Sequence, residues 1–170
     1  MREASGLPCL PPSKFFVFAV VHFLKFSPFR LILPMAKLSA GLLVYRIMKV
    51  PEVLLVHPGG PLFTKKDEGV WSIPKGEYEA TEDPLEVAKR EFEEETGNKI
   101  KGYKFIALQP VKNKSGKTLR CWTIEEDFDI PFISSNSFEM EWPPKSGKRQ
   151  QFPETDKAEW FDIATAKRMI

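Results

Sequence analysis

An α/β domain is the fold class that this sequence predicts, and three observations carry the prediction. Apolar, strand-like segments recur before and after the middle of the chain; the stretch Asp83–Gly97 carries both a start and a stop signal for a helix; and that helix is the single strong one. Strand-like runs around one strong helix exclude a helical bundle. The chain has 170 residues, 42% hydrophobic and 28% charged, enough for one globular domain with its own core.

Residues 1–34 differ in kind from the rest. Their apolar run Phe15–Leu24 contains His22 and is bounded by Lys14 and Lys25. A run of that length is too short to span a bilayer, which takes about 20 residues. A poor basic region with no small-residue cleavage site argues against a signal peptide. Met35 is therefore read as the natural start, residues 1–34 as an upstream extension of the reading frame, and residues 35–170 as the functional domain. The leader holds Arg2, Lys14, Lys25 and Arg30 against Glu3, so the remainder has 21 basic and 22 acidic residues. The formal +2 of the whole chain thus implies no general affinity for nucleic acid, and no membrane partner is expected. Two cysteines, Cys9 and Cys121, make no disulfide framework and fit a reducing, cytoplasmic setting. Cys121 alternates with Leu119 and Thr123 and reads as a small packed residue.

Leu38–Met48 and Glu52–His57 read as neighbouring strands joined through Lys49-Val50-Pro51. His57-Pro58-Gly59-Gly60-Pro61 breaks the second of them, and a loop from Leu62 to Gly69 follows with Lys65 and Lys66 as candidate phosphate contacts. His57 lacks a paired nucleophile and reads as structural. In Trp71-Ser72-Ile73-Pro74-Lys75-Gly76, Pro74 and Gly76 permit a tight turn beside a bound phosphate, and Lys75 supplies a point charge there.

The helix is predicted over Pro84–Thr96. Asp83 caps it, Pro84 suits its first position, Glu86 stands where a capping-box acid reaches back, and Gly97 closes it. Leu85, Ala88 and Phe92 form its apolar stripe, while Glu91, Glu94 and Glu95 gather on another side. Like charges at these spacings cost a few tenths of a kcal/mol per pair. A hard divalent cation such as Mg²⁺, with Mn²⁺ as a substitute, would offset that cost; a solvated acidic face is the bland alternative.

Beyond the helix, Tyr103–Leu108 and Thr118–Ile124 read as strands joined through an Asn113–Gly116 turn. Ser137–Trp142 suggests a further strand, followed by a basic loop with Lys145, Lys148 and Arg149. Phe152-Pro153-Glu154-Thr155-Asp156 then leads into a strand at Ala158–Phe161, and a helix starts at Asp162. The chain ends at Ile170, about two turns into that helix.

Gly76, Glu82, Arg90-Glu91, apolar Phe92, Glu94-Glu95 and Gly97 reproduce the pattern G-x5-E-x7-R-E-U-x-E-E-x-G-U. In this the chain resembles the Nudix hydrolase family. At ordinary residue usages, seven fixed identities coincide at a given start with odds on the order of 10⁻⁸. Asn98 departs from the aliphatic residue that closes the pattern, and Ile100 is the candidate for the missing packing contact. The resemblance implies an α/β/α sandwich with a mixed, curved sheet over roughly residues 37–170.

It also implies Mg²⁺-dependent attack of water on a phosphoanhydride, with metal ligands Glu91, Glu94, Glu95 and, from a P-E-x-D stretch similar to that of nucleoside polyphosphate hydrolases, Glu154. The general base is one of Glu94, Glu95 and Glu154. Arg90 orients a ligand, and Glu82 does likewise or completes the metal site. A W-x-x-P-K-G lead-in and the HPGGP segment are similar to a bacterial subgroup of predicted nucleoside triphosphate pyrophosphohydrolases near the diadenosine tetraphosphate hydrolases. The expected partner is a small-molecule nucleotide, held by Lys75, Gly76, Lys65, Lys66, Lys145 and Arg149, with Trp71 or Trp142 stacking on a base. The first-choice substrate is a dinucleoside polyphosphate, and nucleoside triphosphates come second. The rivals are a non-catalytic nucleotide sensor, an ADP-sugar pyrophosphatase and an isoprenoid diphosphate isomerase.

Overall fold

The computed structural model describes residues 37–112, 116–130 and 135–170. The leader of residues 1–34 and the turn residues Asn113, Lys114 and Ser115 lie outside that range. In chain order the elements are β1 (Leu38–Ile47), β2 (Pro51–Pro58), β3 (Lys75–Tyr78), α1 (Pro84–Thr96), β4 (Ile106–Ala107), β5 (Val111–Lys112), β6 (Thr118–Glu125), β7 (Ser137–Glu141), β8 (Arg149–Pro153), β9 (Thr155–Asp162) and α2 (Ile163–Met169).

The main sheet runs β4-β6-β1-β2-β9, with β3 added to β1 and β5 to β6. It is mixed: β1 lies parallel to β6, while β1 pairs antiparallel with β2 and β3, and β2 antiparallel with β9. Side chains alternate across a strand, and β2 shows what that alternation makes here. Leu54 and Val56 join Ala40, Leu42, Val44 and the α1 residues Val87, Ala88 and Phe92 in one core. Val53 and Leu55, pointing the other way, join Trp71, Ala166 and Met169 in a second core with α2. A strand buried on both faces needs a helix on each side, and the layers are those of the expected α/β/α sandwich. Among the described residues no helix is long and apolar enough to cross a membrane.

Helix α1 has the predicted bounds. The Asp83 carboxylate accepts from the Leu85 and Glu86 N–H groups, and Gly97 closes the helix at φ 70°. Gly97 donates its N–H to the Glu93 carbonyl. The reciprocal half of the capping box is not made, because Glu86 turns to Lys89 at 2.7 Å. Asn98 bonds back to Thr96, and Ile100 packs against the α1 core, so the apolar contact moves two residues along.

Other segments depart from the sequence expectation. The residues read as a turn before the helix form β3, whose Gly76 pairs with Ala40 of β1. The strand expected over Tyr103–Leu108 shrinks to Ile106–Ala107. There the Lys101 and Gly102 N–H groups go to the Glu126 carboxylate rather than to a neighbouring strand. Arg149, assigned to a loop, opens β8, which pairs with β7 as a separate two-stranded sheet. Cys121 is buried in β6, and burial pushes its thiol up to about 11, as befits an unreactive packed cysteine.

Candidate active site

The site forms where β3 crosses beneath α1. Ser39 in β1 donates its hydroxyl hydrogen to the Gly76 carbonyl at 2.6 Å and fixes that strand. Above it lies the Glu91 carboxylate, in the space where any side chain on residue 76 would collide with it. The missing Cβ of Gly76 lets a helix carboxylate lie on the strand, and a side chain there would displace the Glu91 carboxylate.

One guanidinium organises the acids around it. Arg90 donates to Glu91 at 2.9 Å and to Glu82 at 3.3 Å, and its Nε stands 3.7 Å from Glu94. Glu82 also accepts from the Glu79 N–H at 2.8 Å, and that bond first, then Arg90, holds its carboxyl below the usual carboxylate range. Glu82 thus ties the approach loop to Arg90. Arg90 faces Glu94 one turn along the helix, while Glu86 pairs with Lys89.

Glu95 points back toward β3, where it accepts from the Lys75 N–H at 3.3 Å. Burial pushes its carboxyl up to about 7; Lys75 opposes the rise, and Glu91 and Glu154 add to it. The Lys75 ammonium donates to the Ser72 hydroxyl at 2.8 Å. Burial lowers its pKa against the pull of Glu95.

Glu154 sits at the bend between β8 and β9. Its N–H donates to the Asn136 carbonyl at 2.8 Å, and its carbonyl accepts from Gly59 at 2.9 Å. Asn136 in turn donates from its side-chain amide to Glu94 at 3.2 Å. Ser39, Ser72 and Asn136 carry no sequence signal of their own, because each is a single polar residue that matters only through its partner, remote in the chain for Ser39 and Asn136.

The predicted cations lie on three separate segments of the chain. Lys75 lies beside Glu95, whereas Lys65 and Lys66 sit in the loop after β2, where the Lys66 ammonium lies 5.5 Å from the Phe63 ring centre. Arg149 pairs with Glu139 at 2.8 Å on the β7–β8 hairpin, and Lys145 and Lys148 occupy its tip. Four residue steps along β8, about 13 Å, take Arg149 from Pro153, the residue next to Glu154 at the base of the hairpin. Trp71 is a correction: at 3% exposed it is packed edge-on against His57 and Phe161 and bonds Asp67, so it stacks on no base. His57, buried, meets Asp156 at 2.6 Å and the Lys66 carbonyl at 2.8 Å, and so pins the loop to β9 as a structural residue. A separate cavity of about 570 Å³ at the far ends of β1 and β6, lined by Tyr45, Met48, Tyr103 and Ile106, holds none of the clustered glutamates.

Among the described residues no three Asp, Glu, His or Cys side chains stand together at ligating distances. Arg90 draws Glu91 and Glu94, and the Lys75 N–H draws Glu95. The donor chemistry fits a hard divalent cation, since it offers carboxylate oxygens and no thiolate or imidazole. The raised carboxyl of Glu95 comes first from burial, with Glu91 and Glu154 adding to the rise against the opposing pull of Lys75.

A consequence for stability follows. Between about 4.5 and about 7 the folded protein keeps a proton on Glu95 that the unfolded chain has released. Stability therefore falls as pH rises through that window, by at most on the order of 3 kcal/mol, and stays at the lower level above it. Thermal unfolding in chelator from about pH 5 to about pH 8 should show this fall in the native chain and not in Glu95→Gln; parallel profiles would refute it.

A mixed sheet with the acidic helix α1 packed across β1 and β3 defines an α/β domain that brings carboxylates over the short strand β3. A family model described as NUDIX domain matches residues 35–169, and the chain belongs to the Nudix hydrolase family. By sequence it is 28% identical over 126 residues to the octanoyltransferase of Myxococcus xanthus, covering 70% of this chain and 32% of that protein. The chain thus spans about a third of the length of that curated relative. Among solved structures, the C. elegans Ap4A hydrolase in a binary complex superposes with a TM-score of 0.52 at 19% identity, covering 77% of this chain and 84% of that one. The NUDIX domain of Shewanella oneidensis NrtR complexed with ADP ribose gives 0.54 at 16%, over 89% and 87%. A MutT/nudix family protein from Enterococcus faecalis gives 0.55 at 15%, over 90% and 51%. At such identities the likeness is one of fold.

Proposed function

We propose that the protein hydrolyses a phosphoanhydride bond of a nucleoside polyphosphate with the help of a divalent cation, Mg²⁺ or in its place Mn²⁺. The observation that carries this reading is the burial of Glu95 next to Glu91, Glu154 and the Lys75 turn. When bound, the cation supplies charge neutralisation on the phosphate and a lowered pKa for water. Glu91, Glu94, Glu95 and Glu154 hold it. Lys75 offers phosphate the donors that Ser72 leaves unused, and Arg90 keeps Glu91 and Glu94 oriented. Water attacks phosphorus and loses its proton to a carboxylate of the cluster; the bridging P–O bond breaks, and its electron pair leaves with the departing phosphate.

The substrate is a dinucleoside polyphosphate such as diadenosine tetraphosphate, cleaved asymmetrically to ATP and AMP, with nucleoside triphosphates second. The cations are spread out, from Lys75 at the carboxylates to Arg149 about 13 Å up the hairpin, and this suits a long, highly charged chain better than a sugar diphosphate. An Ap4A hydrolase is among the fold neighbours, as is a domain complexed with ADP ribose. The test is kcat/KM for diadenosine tetraphosphate, ATP, dGTP and ADP-ribose, with products separated by ion exchange, in the native chain and in Lys75→Ala. Diadenosine tetraphosphate should lead, and Lys75→Ala should lower its rate about tenfold. A tenfold preference for ADP-ribose, about 1.4 kcal/mol, or an untouched rate in Lys75→Ala, would overturn the substrate assignment.

A further inference from the structure

The candidate carboxylates come from two places, helix α1 and the β8–β9 bend, and among the described residues no strand pairing joins β7–β8 to the main sheet. One residue spans the gap. Asn136, immediately before β7, accepts the Glu154 N–H on its carbonyl at 2.8 Å and donates its side-chain amide to Glu94 Oε2 at 3.2 Å. Its neighbour Ser135 reinforces the first link, accepting from the Thr155 N–H at 3.1 Å and donating to the Thr155 carbonyl at 2.8 Å. Glu94 Oε1 meanwhile faces Arg90 at 3.7 Å, so the two oxygens of this carboxylate have different partners.

We propose that Asn136 is a positioning residue for the cation site: it sets the spacing between Glu94 on the helix and Glu154 on the bend by holding the first through its side chain and the second through its main chain. The inference rests on the cation reading of Glu94 and Glu154 given above. An amide is suited to the task. It donates to a carboxylate without adding charge, and it leaves the carboxylate's remaining lone pairs free for a cation. Partners of this kind orient ligands, and their loss costs about 10–100-fold in metal affinity. The hairpin between Asn136 and Glu154 thus hangs from a clamp that includes the cation site, with Lys145 and Lys148 at its far end.

The test is Mn²⁺ binding to the full chain without substrate, read as free Mn²⁺ by electron paramagnetic resonance, for the native chain, Asn136→Ala, Asn136→Leu, Glu94→Gln and the double variant Asn136→Ala/Glu94→Gln. Thermal unfolding in chelator runs alongside. Asn136→Ala and Asn136→Leu should each weaken Mn²⁺ by about tenfold while leaving the cation-free unfolding temperature unchanged, and in the Glu94→Gln background Asn136→Ala should cost nothing more. Native affinity in both Asn136 variants, with weakening in Glu94→Gln, would overturn the positioning role and leave the cation reading standing. Undiminished binding in Glu94→Gln as well would overturn both. An additive loss in the double variant, or a fall in the cation-free unfolding temperature that matches the affinity loss, would assign Asn136 a merely structural part and overturn the proposal.

Discussion

Glu95→Gln is expected to lower kcat by about a thousandfold or more, roughly 4 kcal/mol of transition-state stabilisation, without unfolding the protein. The side chain is half-buried against Lys75 with Glu91 and Glu154 nearby, and its carboxyl is already pushed up to about 7. A neutral amide of the same shape removes a repulsion and keeps the acceptor for the Lys75 N–H, so packing should survive. The variant loses the anionic oxygens that a divalent cation demands. Glu94→Gln should behave alike in turnover. Activity in the native chain should vanish with chelator and return with Mg²⁺ or Mn²⁺. Full turnover in both variants would sink the assignment of the acidic helix as the catalytic centre.

Gly76→Ala is the second large effect to expect. A Cβ at this position meets the Glu91 carboxyl head-on, while Ser39 prevents β3 from retreating. Glu91 must then leave, taking with it the Arg90 contact that aligns Glu94. A misplacement on the scale of an ångström is worth about 100-fold in rate, and kcat/KM should fall by that amount or more. In a Glu91→Ala background the clash is gone, and Gly76→Ala should then cost little beyond the loss caused by Glu91→Ala itself. If instead the Gly76 effect persists there and falls on KM, the glycine serves close approach of a phosphate, the role its sequence context suggested.

Helix α1 was legible to the residue because capping, N-terminal proline and C-terminal glycine are local chemistry, written within a few positions of where they act. The long strands β1 and β2 were legible from their apolar runs, and β6 from apolar residues interleaved with β-branched threonines. Strand β3 was not. Its four residues look like a turn, and only their partner in β1, some 35 positions earlier, makes them a strand. Strand β8 failed in the same way, its polar Arg149-Gln150-Gln151 gaining strand form from β7. The acids of the site could be named from spacing and resemblance, while the side chains that aim them could not. Ser39, Ser72 and Asn136 are single polar residues whose partners lie 37, 3 and 42 positions away, and two of those separations exceed any local pattern. Trp71 misled for a related reason: an aromatic before a basic turn looks available, yet the second core behind α2 claims it.

The parallel pairing of β1 with β6 sets the order in which this protein can be assembled. β1, β2, β3 and α1 are neighbours in sequence and can meet early, bringing Glu91, Glu94 and Glu95 over Gly76. β6 must then return across some 80 positions to lie beside β1, and β9 must return across about 100 to complete the sheet on β2. Loop closure of that span is paid before its contacts repay it, which makes such topologies slow to fold. Glu154 stands immediately before β9. During synthesis on the ribosome the helix glutamates therefore emerge well before their fourth companion, and the acidic centre waits for the strand that follows Glu154.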